Sequence, residues 1–415
     1  MSAAPAPAGS RRVNVRTPEV MERVQAEVES HYRSPLVEAV RASGGVLTID
    51  GTTVRLAREF GFCYGVERAI DLAYAARKVF AERRVFLLGE IIHNPEVNRQ
   101  LTEMGIVSIP VGQHEQAIAD FQSEDVVIVP AFGAETRLMQ KIAERGCMVV
   151  DTTCGDVMSV WKRVRNYAKT GFTSIIHGKA EHEETRATSS RALGDDGRGH
   201  YLVVLTLADV DFVCDHIRNG GDKAAFLDRF KGASALSEGF DPDTHLRRIG
   251  VANQTTMLKS ETEEIQRRLH QAIQDRDGPE EGAKNFLVFD TICGATQERQ
   301  DSLFHLLRHP LDVLLVVGGY NSSNTTHLVE IGEQQLPTFF IRTAECLESL
   351  EQIVHFDLHS KSEKTSYSGK LASPDPVVIG ITAGASCPNN LIEDTLLRVF
   401  QLRGISPEVV RAAVL

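Results

Sequence analysis

One pattern occurs three times along this chain and restricts its fold more than any other feature. An apolar strand runs into a Cys, and the Cys opens a helix. The three copies are Glu59-Phe60-Gly61-Phe62-Cys63-Tyr64-Gly65, Val150-Asp151-Thr152-Thr153-Cys154-Gly155-Asp156 and Phe289-Asp290-Thr291-Ile292-Cys293-Gly294-Ala295. Helical patterns follow over 66–76, 157–168 and 296–307. Next comes an apolar strand ending in Gly, over 85–89, 174–178 and 314–318, so the Cys-to-Gly offsets are 26, 24 and 25. Four residues past each Gly stands a polar group, His93, His182 or Ser322, ahead of another helix. A third strand–loop–helix unit closes each copy. These are 126–130 with Ala131-Phe132-Gly133, 249–252 with Gln254-Thr255-Thr256, and 377–382 with Ala383-Gly384-Ala385-Ser386. A period this long marks a repeated architecture. Apolar strands alternating with amphipathic helices require parallel sheets covered by helices. The expected fold is therefore α/β, with three related domains at 58–150, 151–290 and 291–403 around a pseudo-threefold centre. Ligands gather at the carboxyl ends of such strands, so the loops of all three copies would face that centre.

The flanks carry different signals. Residues 1–57 read as an N-terminal extension. Its Ala/Pro-rich start, 1–12, reads as a disordered arm; helices are expected from Thr17-Pro18-Glu19 and Ser34-Pro35, where a capping hydroxyl precedes a first-turn Pro. Residues 46–57 read as a β-hairpin, since Asp50-Gly51 supplies the two positive-φ positions of a tight turn. Within the second domain, 194–248 is an insertion around a strand at 201–205. The Ser/Lys/Pro-rich 358–375 reads as a mobile loop, and 404–415 as a C-terminal tail.

The chain of 415 residues exceeds what one core usually supports. Its net charge of −11 argues against a nucleic-acid partner and against an anionic membrane surface. No apolar run reaches membrane-spanning length, and 1–12 lacks the apolar core of a secretory signal. A cytoplasmic location is expected. Seven cysteines scattered through so long a chain do not read as a disulfide framework.

A lone Cys is most often a buried structural thiol. One per repeat, at equivalent strand ends, changes the reading of Cys63, Cys154 and Cys293: three converging thiolates suit a soft metal. Zinc with a fourth ligand fits this set; so does a 4Fe–4S cubane with one iron left open. No close C-x-x-C pair occurs, unlike ferredoxin-type binding. Cys147, Cys214 and Cys346 read as packing residues, and Cys387, beside a candidate loop, is ambiguous. His93, His182, Ser322, Ser323 and Asn324 stand at helix starts, where backbone N–H groups and side-chain donors would hold a phosphate or diphosphate. Ser386 follows small residues that let backbone approach an anion. No P-loop and no strand-linked G-x-G-x-x-G is present, which argues against nucleotide binding. Glu184 reads either as a solvated first-turn carboxylate or as a proton donor beside a bound anion. Thr255 and Thr256 read as strand-end caps, or Thr255 as a relay.

Taken together the loops resemble one family. The matching pieces are Gly61-Phe62-Cys63-Tyr64-Gly65-Val66, Ile91-Ile92-His93-Asn94-Pro95, Asp151-Thr152-Thr153-Cys154, His177-Gly178-Lys179-Ala180-Glu181-His182-Glu183-Glu184-Thr185, Asn253-Gln254-Thr255-Thr256, Asp290-Thr291-Ile292-Cys293, Val317-Gly318-Gly319-Tyr320-Asn321-Ser322-Ser323-Asn324 and Thr382-Ala383-Gly384-Ala385-Ser386. Over about 58 to 400 the chain resembles the 4-hydroxy-3-methylbut-2-enyl diphosphate reductase family, in its longer plastid and cyanobacterial branch. The resemblance implies a 4Fe–4S cluster on Cys63, Cys154 and Cys293, with one iron open to substrate. It implies diphosphate binding by His93, His182, Ser322, Ser323, Asn324 and Ser386, and proton delivery by Glu184 with Thr255 supporting it. The implied reaction removes the hydroxyl of an allylic diphosphate as water, giving isopentenyl and dimethylallyl diphosphate, the last step of the non-mevalonate (methylerythritol phosphate) pathway. Reduced ferredoxin or flavodoxin is the implied electron donor. Two departures stand out. Ala131-Phe132-Gly133 lacks a His usual in the short bacterial form, and Gly155 replaces a Pro, which would loosen that turn. An iron–sulfur hydro-lyase, an iron–sulfur sensor without enzymatic activity and a three-cysteine zinc protein are the competing readings.

Overall fold

A computed structural model describes residues 11–232, 234–289 and 291–414. Most of the arm expected to be disordered, 1–10, lies outside the described residues. Its last two residues, Arg11–Arg12, form a short strand that pairs in parallel with Met148–Asp151. The chain divides into two compact units.

The first unit comprises the described parts of Met1–Asn14, Phe80–Gly89 and Ile106–Cys293. It holds two parallel sheets. One has the strand order Arg11–Arg12, Met148–Asp151, Val126–Val129, Val85–Leu88, Ile106–Ile109. The sequence Val-Val-Ile-Val explains why Val126–Val129 is central: all four residues are buried. A strand covered on both faces needs a continuous run of β-branched residues rather than alternation. The other sheet has the order Phe286–Val288, Ile249–Asn253, Thr173–His177, Tyr201–Val204. The expected strand at 201–205 is its edge strand. The expected insertion around it supplies Val210, Val213, Phe226, Phe230 and Phe240 to the core under that sheet.

The second unit comprises Val15–Val79, Glu90–Gly105 and the described part of Gly294–Leu415. Its main sheet has the order Thr338–Ile341, Val313–Val317, Val377–Ala383, Thr52–Leu56, Val46–Ile49. The last two strands are the expected hairpin, turned by Asp50 and Gly51 at φ 44° and 74°. The hairpin is not an appended layer, however. Thr52–Leu56 pairs in parallel with Val377–Ala383, Val54 lying beside Ile379. The physical reason is burial: Thr52, Val54 and Leu56 form an inward face, and an isolated two-stranded hairpin is marginal in water.

Two further expectations change. Within 358–375, Ser362–Tyr367 pairs antiparallel with Gln352–Asp357. The ribbon strand Ser-Glu-Lys-Thr-Ser-Tyr is largely exposed, so it carries no apolar alternation to betray it. The 404–415 tail contains a helix, Pro407–Ala412, capped by the Ser406 hydroxyl. Among the described residues, no helix is long and apolar enough to cross a membrane.

In the three larger sheets the strand that leads to a Cys lies directly beside the third-loop strand. Met148–Asp151 pairs with Val126–Val129, Phe286–Val288 with Ile249–Asn253, and Thr52–Leu56 with Val377–Ala383. Because the pairs are parallel, both carboxyl ends emerge together. The loops 131–133, 254–256 and 383–386 therefore sit next to Cys154, Cys293 and Cys63 respectively.

Gly250 shows how tightly the second sheet is covered. A methyl group there would lie 2.7 Å from the buried Tyr167 ring, whose hydroxyl donates to the Val251 carbonyl at 3.0 Å. Gly250→Ala is expected to cost about 1–3 kcal/mol of stability, read as a lowered urea midpoint. An unchanged midpoint would contradict this packing.

Candidate functional site

The cysteines separate into two environments. Cys63, Cys154 and Cys293 are partly exposed, whereas Cys147, Cys214, Cys346 and Cys387 are buried, and all seven are free of disulfides. Burial pushes the Cys147 thiol up, the Cys214 thiol up to about 11, and the Cys387 thiol further up. Structural thiols buried in this way are inert. The ambiguous Cys387 thus belongs with the packing thiols, and the repeat-positioned trio is the accessible set.

Each of the three is fixed through its backbone. The Cys154 N–H donates to the Ala131 carbonyl at 2.8 Å, that of Cys293 to Thr255 at 3.1 Å and that of Cys63 to Ala385 at 3.2 Å. These bonds follow from the strand adjacency. The turn before Cys154 is tied further: Asp151 Oδ1 accepts from the Thr153 hydroxyl at 2.5 Å and from its N–H at 3.1 Å. The turn therefore does not rely on a Pro at position 155. Near Cys293, the Thr291 hydroxyl donates to Asn253 Oδ1; Asp290 lies outside the described residues.

In the first unit the candidates Glu184, Thr255 and Cys293 form one connected group. The Glu184 side chain is 3% exposed. Its Oε1 accepts from the Thr255 N–H at 2.6 Å and its Oε2 from the Thr255 hydroxyl at 3.0 Å. The Thr255 carbonyl is the one that receives the Cys293 N–H. Glu184 reaches this position because its helix, Glu183–Ala192, starts immediately after the Thr173–His177 strand and its loop. The loop packs closely: a Cβ at Gly178 would lie 2.9 Å from both Gln254 and Thr185. Gln254 Oε1 accepts from the Lys179 N–H and the Thr185 hydroxyl, each at 3.2 Å.

His182 caps the same helix, its Nδ1 accepting from the Glu184 N–H at 3.1 Å. A backbone N–H can only donate, so the neutral ring carries its proton on Nε2. Phe132, in place of the usual His, lies edge-on to this ring at 6.0 Å. Its loop is wedged by Gly133, at φ 80°, whose Cβ position would fall on Trp161.

In the second unit the structure gathers five diphosphate candidates, His93, Ser322, Ser323, Asn324 and Ser386. Ser322 caps the helix Ser323–Glu333 and accepts from the Thr325 N–H at 3.3 Å. The Ser386 hydroxyl lies 3.4 Å from Ser322 Oγ and 3.4 Å from the His93 carbonyl. Asn324 Oδ1 accepts from the Ala385 N–H at 2.9 Å, and its buried amide nitrogen has no partner. Ser323 is buried in the first turn of the same helix. Gly319 packs against the His93 carbonyl and Gly384 against Thr325, each where a Cβ would collide. This set of hydroxyls, a spare amide donor and a helix start is suited to a phosphate group.

Sequence reasoning missed Glu90. Its carboxylate accepts from His93 Nδ1 at 2.8 Å, which orients the ring. The i,i+3 spacing across a loop was the available signal. It also missed Gln254 as the residue that ties the Lys179 loop to the helix of Glu184.

The fold and these groups define a class: an α/β protein built on parallel sheets, whose strand ends carry accessible thiols, anion donors and a buried carboxylate. The chain belongs to the LytB protein family, whose sequence model matches residues 54–399. It is 48% identical over 387 residues to the 4-hydroxy-3-methylbut-2-enyl diphosphate reductase of Gloeobacter violaceus, covering 92% of this chain and 90% of that protein. It is 46% identical over 386 residues to the enzyme of the same name from Thermosynechococcus vestitus, covering 93% of each. Among solved structures it is similar to an (E)-4-hydroxy-3-methyl-but-2-enyl diphosphate reductase described as the terminal enzyme of the non-mevalonate pathway. That likeness has TM-score 0.50 and 26% identity, covering 84% of this chain and 99% of the other. The Plasmodium falciparum reductase has the same fold, with TM-score 0.61 at 21% identity over 86% of this chain and 89% of the other.

The Glu184–Thr255 pair generates a prediction about stability. Thr255→Val keeps the backbone donor and removes the hydroxyl from a buried carboxylate. A loss on the order of 1–3 kcal/mol is expected, as for hydrogen bonds to charged groups, seen as a lower denaturation midpoint. A midpoint equal to that of the unaltered protein would mean the hydroxyl does not hold Glu184.

Proposed function

We propose that this chain is the reductase its relatives are named for, removing the hydroxyl of (E)-4-hydroxy-3-methylbut-2-enyl diphosphate to give isopentenyl and dimethylallyl diphosphate. The observation that carries the reading is the buried line of contacts Glu184–Thr255–Cys293. It joins a carboxylate able to hold a proton to an accessible thiol in a family of named reductases.

Cys63, Cys154 and Cys293 would hold a 4Fe–4S cluster. Their partial exposure fits this role, in contrast to the other four buried thiols. When bound, that cluster supplies electrons singly and Lewis acidity toward the leaving oxygen. Every other part of the chemistry falls to side chains. His93, His182, Ser322, Ser323, Asn324 and Ser386 would make the diphosphate contacts. Glu184 releases a proton toward the departing hydroxyl, with Thr255 holding its carboxylate in place.

The balance is two electrons and two protons in, one C–O bond broken, one water and one C–H bond formed. The second proton goes to either end of the allylic unit, which accounts for two products. The electrons come from a reduced ferredoxin or flavodoxin. A cytoplasmic setting, where such carriers stay reduced, is part of the same reading.

Two outcomes check it. Glu184→Gln is expected to lower turnover by a factor on the order of 10² or more, the usual worth of a general acid, with diphosphate affinity and iron content retained. Turnover within a few-fold of the unaltered enzyme would remove Glu184 from the mechanism. Cys154→Ser is expected to lose bound iron after anaerobic reconstitution while Cys147→Ala keeps it; full iron in Cys154→Ser would refute the ligand assignment.

A further inference from the structure

Arg299 is a buried guanidinium that the proposed chemistry leaves unexplained. It lies in the helix Gly294–Leu306 and is 4% exposed. Its Nη2 donates to the Gly61 carbonyl at 2.7 Å and its Nη1 to the Ala295 carbonyl at 2.9 Å. Gly61 stands two residues before Cys63, and Ala295 two residues after Cys293. One side chain therefore ties the approach to one thiol to the helix start behind another.

Among the described residues, the carboxylates that face this charge are exposed. One is Glu298, at 4.0 Å, on a side chain 65% exposed. Glu67, in the first turn of the helix after Cys63, feels Arg299 electrostatically. Arg299 Nε is buried without a partner. Burying a guanidinium is costly unless it is paired, and two backbone carbonyls would satisfy a neutral donor equally well. The backbone it holds is constrained too: Gly61 sits at φ 83°, and a Cβ there would lie 2.5 Å from Asn389 Oδ1.

We propose that Arg299 is a positioning residue that also sets the redox poise of this site. It fixes the Cys63 loop through Gly61 and places a buried positive charge beside the electron-accepting group. The inference rests on the cluster reading above. A positive charge close to an iron–sulfur group favours its reduced, more negative state, since net charge and hydrogen bonding set such potentials. A unit charge roughly 10 Å away in a partly buried setting changes a one-electron equilibrium on the order of tenfold.

The test is a reductive titration of reconstituted full-length protein, followed by absorbance and electron paramagnetic resonance. Arg299→Met removes the charge at similar volume; Arg299→Lys keeps it. The expected result is a tenfold shift of the Arg299→Met equilibrium toward the oxidised form, about 59 mV for one electron. Arg299→Lys should return most of that shift at matched iron content. A potential unchanged in Arg299→Met would overturn the proposal. Equal shifts in both variants would also overturn it, because the charge would then be irrelevant. If Arg299→Met fails to load iron, Arg299→Lys decides alone: loading with the native potential supports the proposal, and failure to load overturns the role of charge. Should the unaltered protein itself load no iron and sulfide, the cluster reading fails, a result distinct from any of these.

Discussion

The adjacency of two parallel strands is the constraint on which the rest depends. In the three larger sheets the strand running into a Cys pairs with the strand running into the third loop. The Cys N–H then has a carbonyl waiting one strand away, at Ala131, Thr255 or Ala385. A thiol so held is presented at a strand end without being buried, which is what separates Cys63, Cys154 and Cys293 from the four packing thiols. A buried polar backbone group must find a partner. The same bond that satisfies that need also fixes where the thiol stands.

From that frame the chemistry differentiates by loop. Thr255 shows it most directly, since its carbonyl serves Cys293 while its N–H and hydroxyl serve Glu184. In the second unit the corresponding loop meets the start of a helix instead. There the Ser386 hydroxyl lies beside Ser322, and Asn324 keeps a buried amide donor without a partner. Small residues make both arrangements possible. Gly178, Gly319 and Gly384 stand where any larger side chain would push the loops apart.

Much of this was legible in the sequence, because the repeat reports on backbone topology. Strand, Cys and helix at constant offsets imply βα units, and the strands at 85–89, 174–178 and 314–318 appear within a residue or so of their expected limits. The helix starts were legible as well: of the polar groups His93, His182 and Ser322, the last two are the caps, and Asn94 caps the first helix one residue past His93. What was not legible depends on long-range pairing. Nothing local says that Thr52–Leu56 joins a strand more than 300 residues later. Nor does the polar ribbon strand Ser362–Tyr367 carry a hydrophobic period to reveal it. Glu90 and Arg299 escaped for a related reason: each acts through a contact that composition cannot rank above an ordinary surface charge.

The most direct test of the central claim is anaerobic conversion of (E)-4-hydroxy-3-methylbut-2-enyl diphosphate by the unaltered, cluster-loaded protein supplied with a strong reductant. The account predicts isopentenyl and dimethylallyl diphosphate, with two electrons consumed per product formed. A fully loaded protein that yields neither product with any reductant, or that hydrates the substrate without consuming electrons, would contradict it.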